Sequence, residues 1–208
     1  PMAALMLIEA LVMNGETAEA RAVLQVLKTR RKHDPVVLRR IAETATHMGA
    51  HAEADDCIRA ARALRPDDPD LDYQAASCAL AMGRLEEAET LLDGVIARRP
   101  DDFDAAYNRA ALRRQTPERN HVSALKAAAA RAKEAPGAYA LHYALAKELE
   151  DLGQVEDSFD HLARGAALRR RLLAYKVEDD VAAMADIAAA FDADLLAEAT
   201  PGFEDEAP

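Results

Sequence analysis

The residues best suited by type and spacing to chemistry are two histidines, His47 and His51. They are four residues apart, the spacing of a zinc-binding pair on one helix. Gly49 lies between them, however, and a glycine at this point favours a break in the helix. The sequence offers no third ligand at a recognisable spacing from the pair. We therefore expect no metal site in this chain.

Catalytic motifs are also missing from the sequence. It contains neither a Gly-rich phosphate loop nor a Gly-x-Ser-x-Gly turn. The acidic pair Asp101-Asp102 suits the start of a helix, and the three arginines at 169–171 suit the end of one, because these charges oppose the helix dipole. We therefore expect no enzyme activity within these residues, no catalytic residue and no cofactor bound by this chain.

Composition and charge exclude further classes. The net charge of −11 over 208 residues argues against general nucleic-acid binding. Cys57 and Cys78 have no motif spacing and are expected to be buried thiols of a protein in the reducing cytoplasm. Residues 2–13 are apolar, but Glu9 interrupts them and no basic segment precedes them. They predict a helix, and neither a signal peptide nor a membrane span.

A unit of 34 residues occurs twice in succession in the sequence and predicts the helices that carry these side chains. Proline and aspartate suit the start of a helix, glycine allows a tight turn, small alanines allow close helix packing, and a later proline ends the unit. This period and pattern resemble the tetratricopeptide repeat, a helix-turn-helix unit. The markers that recur at this interval are Asp34-Pro35 and Asp68-Pro69, Gly49 and Gly83, Ala54 and Ala88, and Pro66 and Pro100.

The same phase extends outward to Gly15 and Gly153, with two extra residues near 115–120. No stretch alternates with period two, so we expect no sheet. The resemblance implies an all-α, right-handed superhelix of about five helix pairs. The predicted organisation is a repeat domain over 1–175, a C-terminal capping helical segment over 176–199 and an acidic linker over 200–208. The predicted repeats are 1–34, 35–68, 69–102, 103–138 and 139–175.

The first helix of each tetratricopeptide pair lines a concave groove, and the resemblance implies which positions face it. Three tyrosines recur in phase there, at spacings of 34 and 36 residues. They are expected either to form a ladder that stacks on an extended peptide or to be half-buried packing residues between repeats. The predicted peptide-binding residues are Arg39, Arg40, Glu43, Tyr73, Gln74, Ser77, Tyr107, Asn108, Tyr143 and Lys147.

A narrower resemblance lies in residues 141–170, which begin LHYALAKELEDLG and end in a Phe-x-His segment and two arginines. This stretch is similar to the last repeat of bacterial tetratricopeptide-repeat sulfotransferases, with Ile187 and Phe191 matching the spacer that follows. The resemblance implies a parent enzyme that uses 3′-phosphoadenylylsulfate and a catalytic domain absent from this chain. The initial proline and the acidic end also suggest a piece of a longer protein.

Two functions remain open from the sequence. The first is a protein-interaction module that forms the N-terminal domain of such a sulfotransferase. The alternative is a free-standing scaffold or chaperone adaptor with no enzyme attached. In both cases the expected partner is a protein or peptide in the groove, with no nucleic acid and no membrane, and the expected state is a monomer or weak homodimer in the cytoplasm.

Overall fold

The computed structural model describes residues 2–191 and Leu195. These residues form eleven α-helices and no strand, with one isolated bridge between Thr116 and Arg119. None of the described helices combines the length and apolar character needed to cross a bilayer. The helices are α1 Met2–Met13, α2 Thr17–Arg30, α3 Pro35–His47, α4 His51–Leu64, α5 Pro69–Ala81, α6 Leu85–Arg98, α7 Phe103–Ala111, α8 Val122–Ala132, α9 Tyr139–Asp151, α10 Val155–Leu172 and α11 Val177–Ala190.

The chain divides between Arg169 and Arg170 into two compact units. In the first unit, α1 packs on α2, α3 on α4 and α5 on α6, and successive pairs pack in chain order. Its buried apolar residues form three clusters that also follow the chain, from α1–α5 through α5–α7 to α7–α9. The core is therefore distributed along the array, as a repeat architecture requires.

The helix starts of the second and third pairs follow from their Asp-Pro sequences. The Asp34 carboxylate accepts hydrogen bonds from the backbone N–H groups of Val36 and Val37, and Asp68 accepts one from Asp70. The proline that follows each aspartate occupies the first helical turn, where its missing N–H leaves no bond unmade. These contacts satisfy amides that no helical carbonyl can reach.

The turn inside each of these pairs depends on glycine. Gly49 and Gly83 have φ angles of +70° and +72°, which a side chain disfavours. Five residues after each glycine stands a fully buried alanine, Ala54 or Ala88. Because alanine is small, the second helix can approach the first closely. Nearby residues in the sequence therefore determine both the turn and the packing.

The fourth pair departs from this pattern. Helix α7 ends at Ala111 and α8 begins only at Val122, so the extra residues lie in the link between them, where the sequence predicts a turn. Helix α8 ends at Ala132, four residues before Pro136, and Lys133 follows it with a φ of +51°. Helix α10 begins at Val155 as predicted and ends at Leu172.

The second unit contains the end of α10 and helix α11. Tyr175 holds this segment together, since its hydroxyl donates to Asp180 at 2.6 Å and its ring lies under the Arg170 guanidinium. Helix α11 buries none of its side chains. The capping role of 176–199 stays a prediction, and 200–208 lies outside the described residues.

Candidate functional site

The predicted peptide-binding residues lie on the first helices of four pairs. Glu43 on α3 contacts three of the other predicted residues. Its carboxylate accepts a hydrogen bond from Gln74 Nε2 at 2.9 Å and lies 3.8 Å from Arg39 and 3.5 Å from Arg40. Arg40 also reaches Glu9 on α1 at 3.0 Å. These side chains are more than one-third exposed, so each ion pair is weakly stabilising and can exchange with a ligand.

Tyr73 and Asn108 form a second group, between α5 and α7. The Asn108 side-chain amide donates to the Tyr73 hydroxyl oxygen at 2.6 Å. Burial raises the pKa of Tyr73, with smaller contributions from Asp104 and Asp102, while the Asn108 bond lowers it. The phenol is therefore neutral and joins two consecutive repeats through a hydrogen bond.

The three in-phase tyrosines have different surroundings. Tyr107 is 40% exposed and Tyr73 is half-buried. Tyr143 contacts Tyr139 edge-on at 6.0 Å and packs so tightly on α10 that a Cβ at Gly165 would lie 2.8 Å from its ring. Of the two explanations for the tyrosines, packing accounts for Tyr143, whereas Tyr107 is available to a ligand.

Lys147 holds the long link of the fourth pair. Its ammonium contacts Asp151 at 2.6 Å and donates to the Arg113 backbone carbonyl. The structure therefore gives Lys147 internal partners in this link, away from the Glu43 group. The ten predicted residues thus fall into separate groups, and their peptide binding stays a prediction.

A pocket of about 180 Å³ opens between α3, α4 and α5, and the sequence did not reveal it. It brings three of the predicted residues together with the histidine pair that first suggested zinc. Among the described residues no group of three or more histidine, cysteine, aspartate or glutamate side chains could hold a metal ion. The pocket is lined by Ala42, Glu43, Thr46, His47, His51, Ile58, Gln74, Ser77 and Cys78.

Both cysteines are buried thiols. Desolvation by burial raises the pKa of Cys57 and of Cys78, so neither is a thiolate nucleophile at neutral pH. Cys78 contributes instead an apolar wall to the pocket. This part of the site therefore offers shape and hydrogen bonding, and no covalent chemistry.

Three buried acids form ion pairs that join neighbouring helix pairs. Asp72 contacts Arg62 at 2.6 Å and also Arg98. The other two acids behave alike, since each lies between two arginines. The three acids, at positions 55, 72 and 89, are 17 residues apart, which is half a repeat. This spacing is the only signal of them in the sequence. The other two acids are Asp55, with Arg59 at 2.9 Å and Arg84 at 2.8 Å, and Glu89, with Arg113 at 2.7 Å and Arg119.

Comparison with known proteins agrees with this geometry. Residues 45–116 match the family model of the tetratricopeptide repeat. That range begins near the end of α3 and ends after α7, so it contains all of α4, α5, α6 and α7. No curated protein sequence matches the chain.

Solved structures resemble the chain in fold. A crystal structure of MamA superposes with a TM-score of 0.61 and 11% identity, covering 81% of this chain and 97% of that one. A putative kinesin light chain with TPR-like repeats from Podosopora anserina gives 0.64 and 17%, covering 82% and 95%. MamA from Desulfovibrio magneticus RS-1 gives 0.59 and 18%, covering 79% and 92%. At these identities the likeness concerns the fold alone, and it confirms the predicted all-α tetratricopeptide solenoid.

Proposed function

We propose that this tetratricopeptide array is a protein-interaction module that captures an extended peptide on the face formed by α3, α5 and α7. The observation that carries the proposal is the row of side chains from Arg39 to Tyr107, which remain partly exposed although they lie beside a continuous core. Polar groups there bond to each other across repeats without full burial. Such groups can exchange these bonds for bonds to a peptide backbone.

The chemistry of this face indicates the kind of peptide. Tyr107 offers an exposed ring for stacking, and Asn108 beside it offers an amide donor and acceptor. Arg39 holds Glu43 only at 3.8 Å, so an acidic side chain of the ligand can take its place. A segment that contains tyrosine and acidic residues is therefore the expected ligand.

Selection of a displayed random-peptide library on the purified chain tests this proposal. Peptides enriched on the wild-type protein should bind the Tyr107→Ala and Asn108→Ala variants about fivefold more weakly or worse, since losing a stacking or hydrogen-bonding residue of the site costs about 1 kcal/mol or more. Tyr175→Ala, an exposed tyrosine of the second unit, is the matched control. Early unfolding of the groove variants, with normal binding once folded, would show that these residues serve packing instead.

Such a module can be a free-standing protein or a domain of a larger enzyme, and a different observation supports each. The repeat fold by itself suits a free-standing scaffold. The resemblance of residues 141–170, which form most of α9 and α10, supports an N-terminal domain of a sulfotransferase that uses 3′-phosphoadenylylsulfate. The gene sequence after Pro208 distinguishes them, because a strand and phosphate loop supports the enzyme and a stop codon supports the scaffold. A cytoplasmic location and a monomeric or weakly dimeric state also stay predictions.

A further inference from the structure

The lining of the pocket between α3, α4 and α5 combines apolar and polar side chains. Ala42, Ile58 and Cys78 supply apolar walls, and the exposed surface of the lining is mostly apolar. Its volume of about 180 Å³ is roughly six times the 30 Å³ that a water molecule occupies in the liquid. This space is large enough for one side chain of ring size.

Three polar residues of the lining, Glu43, Thr46 and Ser77, present hydrogen-bond acceptors. Thr46 Oγ1 donates its hydrogen to the Ala42 carbonyl at 2.9 Å, and Ser77 Oγ donates to the Tyr73 carbonyl at 3.2 Å. Their remaining lone pairs can only accept. The Glu43 carboxylate is ionised in its contacts with arginine and also accepts only. A hydrogen-bond donor on the occupant therefore complements these three groups.

Two further polar atoms of the lining have unmet hydrogen-bonding capacity. Gln74 Oε1 and His51 Nδ1 are buried and have no partner among the described residues. The bond from Gln74 Nε2 to the Glu43 carboxylate fixes which end of the amide is oxygen. This oxygen is therefore another acceptor of the lining that lacks a protein partner.

The charges around Glu43 favour a neutral occupant. Glu43 is flanked by Arg39 and Arg40, and Arg40 also pairs with Glu9. Two carboxylates and two guanidinium groups thus balance each other. A lysine or arginine of the ligand would meet the two guanidinium groups beside Glu43. A carboxylate inside the pocket would face the acceptors of Glu43, Thr46 and Ser77, whereas Arg39, which can hold an acidic residue of the peptide, does not line the pocket.

We propose that this pocket binds a tyrosine side chain of the captured peptide, with the ring against Ala42, Ile58 and Cys78 and the phenol hydroxyl donating to Glu43. Tyrosine combines a neutral apolar ring with a single donor at its tip. A hydrogen bond to an ionised acceptor is stronger than one between neutral groups, which makes Glu43 the residue that decides specificity. The assignment rests on the proposed peptide binding and adds which residue of the peptide is selected.

The test uses 4-methylphenol as the probe, followed by backbone amide shifts in NMR spectra of the whole chain. We expect saturable shifts at the amides of Glu43, Gln74 and Ser77, with a dissociation constant of about 1 mM for so small a ligand. Three matched compounds accompany it: 4-methylanisole lacks the donor hydrogen, toluene lacks the oxygen, and butylammonium carries the charge of a lysine. 4-Methylanisole and toluene should bind at least about twofold more weakly, the smallest loss expected for one hydrogen bond. Butylammonium should also bind more weakly, because its charge meets the two guanidinium groups beside Glu43.

The protein side of the test is Glu43→Gln, which should weaken 4-methylphenol binding about tenfold by removing a charge-assisted acceptor. Glu53→Gln is the control, because Glu53 also accepts from a glutamine of a neighbouring pair, Gln25, and does not line the pocket. The proposal is overturned by an absence of saturable shifts, by equal binding of 4-methylanisole or toluene, by tighter binding of butylammonium, or by unchanged affinity in Glu43→Gln.

These outcomes are separable from those of the proposed function. A peptide whose capture depends on Tyr107 and is not displaced by 4-methylphenol would overturn the pocket assignment and leave peptide binding in place. If 4-methylphenol binds in the pocket but the peptide library yields no ligand, the pocket stands and the peptide-binding proposal fails.

Discussion

The turns of the second and third helix pairs and the link of the fourth pair perform the same task with different bonds. At Gly49 the backbone closes the turn by itself, because Gly49 N–H donates to Thr46 at 3.0 Å and Ala50 N–H donates to Ala45 at 2.8 Å. The equivalent bonds at Gly83 and Arg84 are 2.9 and 2.8 Å. No side chain from another repeat is needed.

The link at 112–121 relies on side chains of α9. The Gln115 N–H donates to the Asp151 carboxylate at 2.8 Å, and the His121 N–H donates to Glu148 at 2.6 Å. The His121 ring nitrogen Nδ1 lies 2.9 Å from the other oxygen of Glu148, and Lys147 binds the Arg113 carbonyl. Three residues of one helix turn thus replace the backbone bonds of a short turn.

The difference shows that insertion into a repeat is tolerated when the next repeat satisfies the new backbone groups. A short glycine turn forms from local bonds alone, whereas the long link adds bonds from α9 to the local bonds between Thr116 and Arg119. Glu148 is fully buried, so the link and α9 should order together. The predictions below test this contrast.

The largest effect is expected for Glu148→Ala, which leaves the partly buried His121 backbone N–H without its acceptor. We expect a loss of about 3 kcal/mol in the free energy of unfolding, measured by urea denaturation. Hydrogen exchange should accelerate at the amides of Gln115 and His121 and remain unchanged at Gly49. Glu150→Ala, an exposed glutamate on the same helix, is the control. Equal stability of the two variants would show that the link does not depend on α9.

A smaller effect is expected for Gly49→Ala, since nothing crowds the new Cβ and only the φ of +70° opposes it. The left-handed conformation should cost about 1 kcal/mol of stability. Gly94→Ala provides a control of opposite sign: Gly94 lies inside α6, and its Cβ would meet only the end of the Arg98 side chain at 3.5 Å. That variant should be more stable by about 0.5–1 kcal/mol. Stabilisation by Gly49→Ala would contradict the account of the short turn.

The smallest effect concerns pH and the side chains that join α9 to α10. The Nδ1 atoms of His142 and His161 lie 3.0 Å apart, so one ring donates a hydrogen bond to the other. The two rings therefore cannot both be charged at once. Burial lowers the pKa of both rings below 6.5, with Arg164 adding to the effect on each. For His161, Lys126 lowers the pKa further and Asp157 raises it.

The sign of the pH dependence follows from these directions. Well above pH 6.5 both rings are neutral in the folded and the unfolded chain, and their contribution to stability is complete. Below that value the unfolded chain binds protons that the folded chain does not, so stability falls as the pH falls. Urea midpoints between neutral and mildly acidic pH should fall less steeply in His142→Gln than in wild type. His33→Gln, in an exposed turn, is the control, and a wild-type slope in both variants would contradict the effect.

Local rules of the chain determined the helices and their turns. Aspartate followed by proline starts a helix, and glycine with positive φ turns it, whatever surrounds them, so Asp34, Gly49 and Gly83 could be placed from the sequence. The 34-residue period then determined which helices pair, because each marker recurs with the same neighbours. The interval from Gly83 to Gly153 exceeds two repeat periods by two residues, and this excess indicated an insertion in the fourth repeat.

Only the tertiary structure decided which side chains meet across repeats. The sequence places Tyr73, Tyr107 and Tyr143 in one phase, but a glycine on another helix, Gly165, gives Tyr143 a packing role. It likewise places Lys147 in the groove series, whereas the carbonyl of Arg113 in the link binds its ammonium. The physical reason is that phase determines the direction of a side chain from its own helix, and its partner depends on where a second segment of the chain passes.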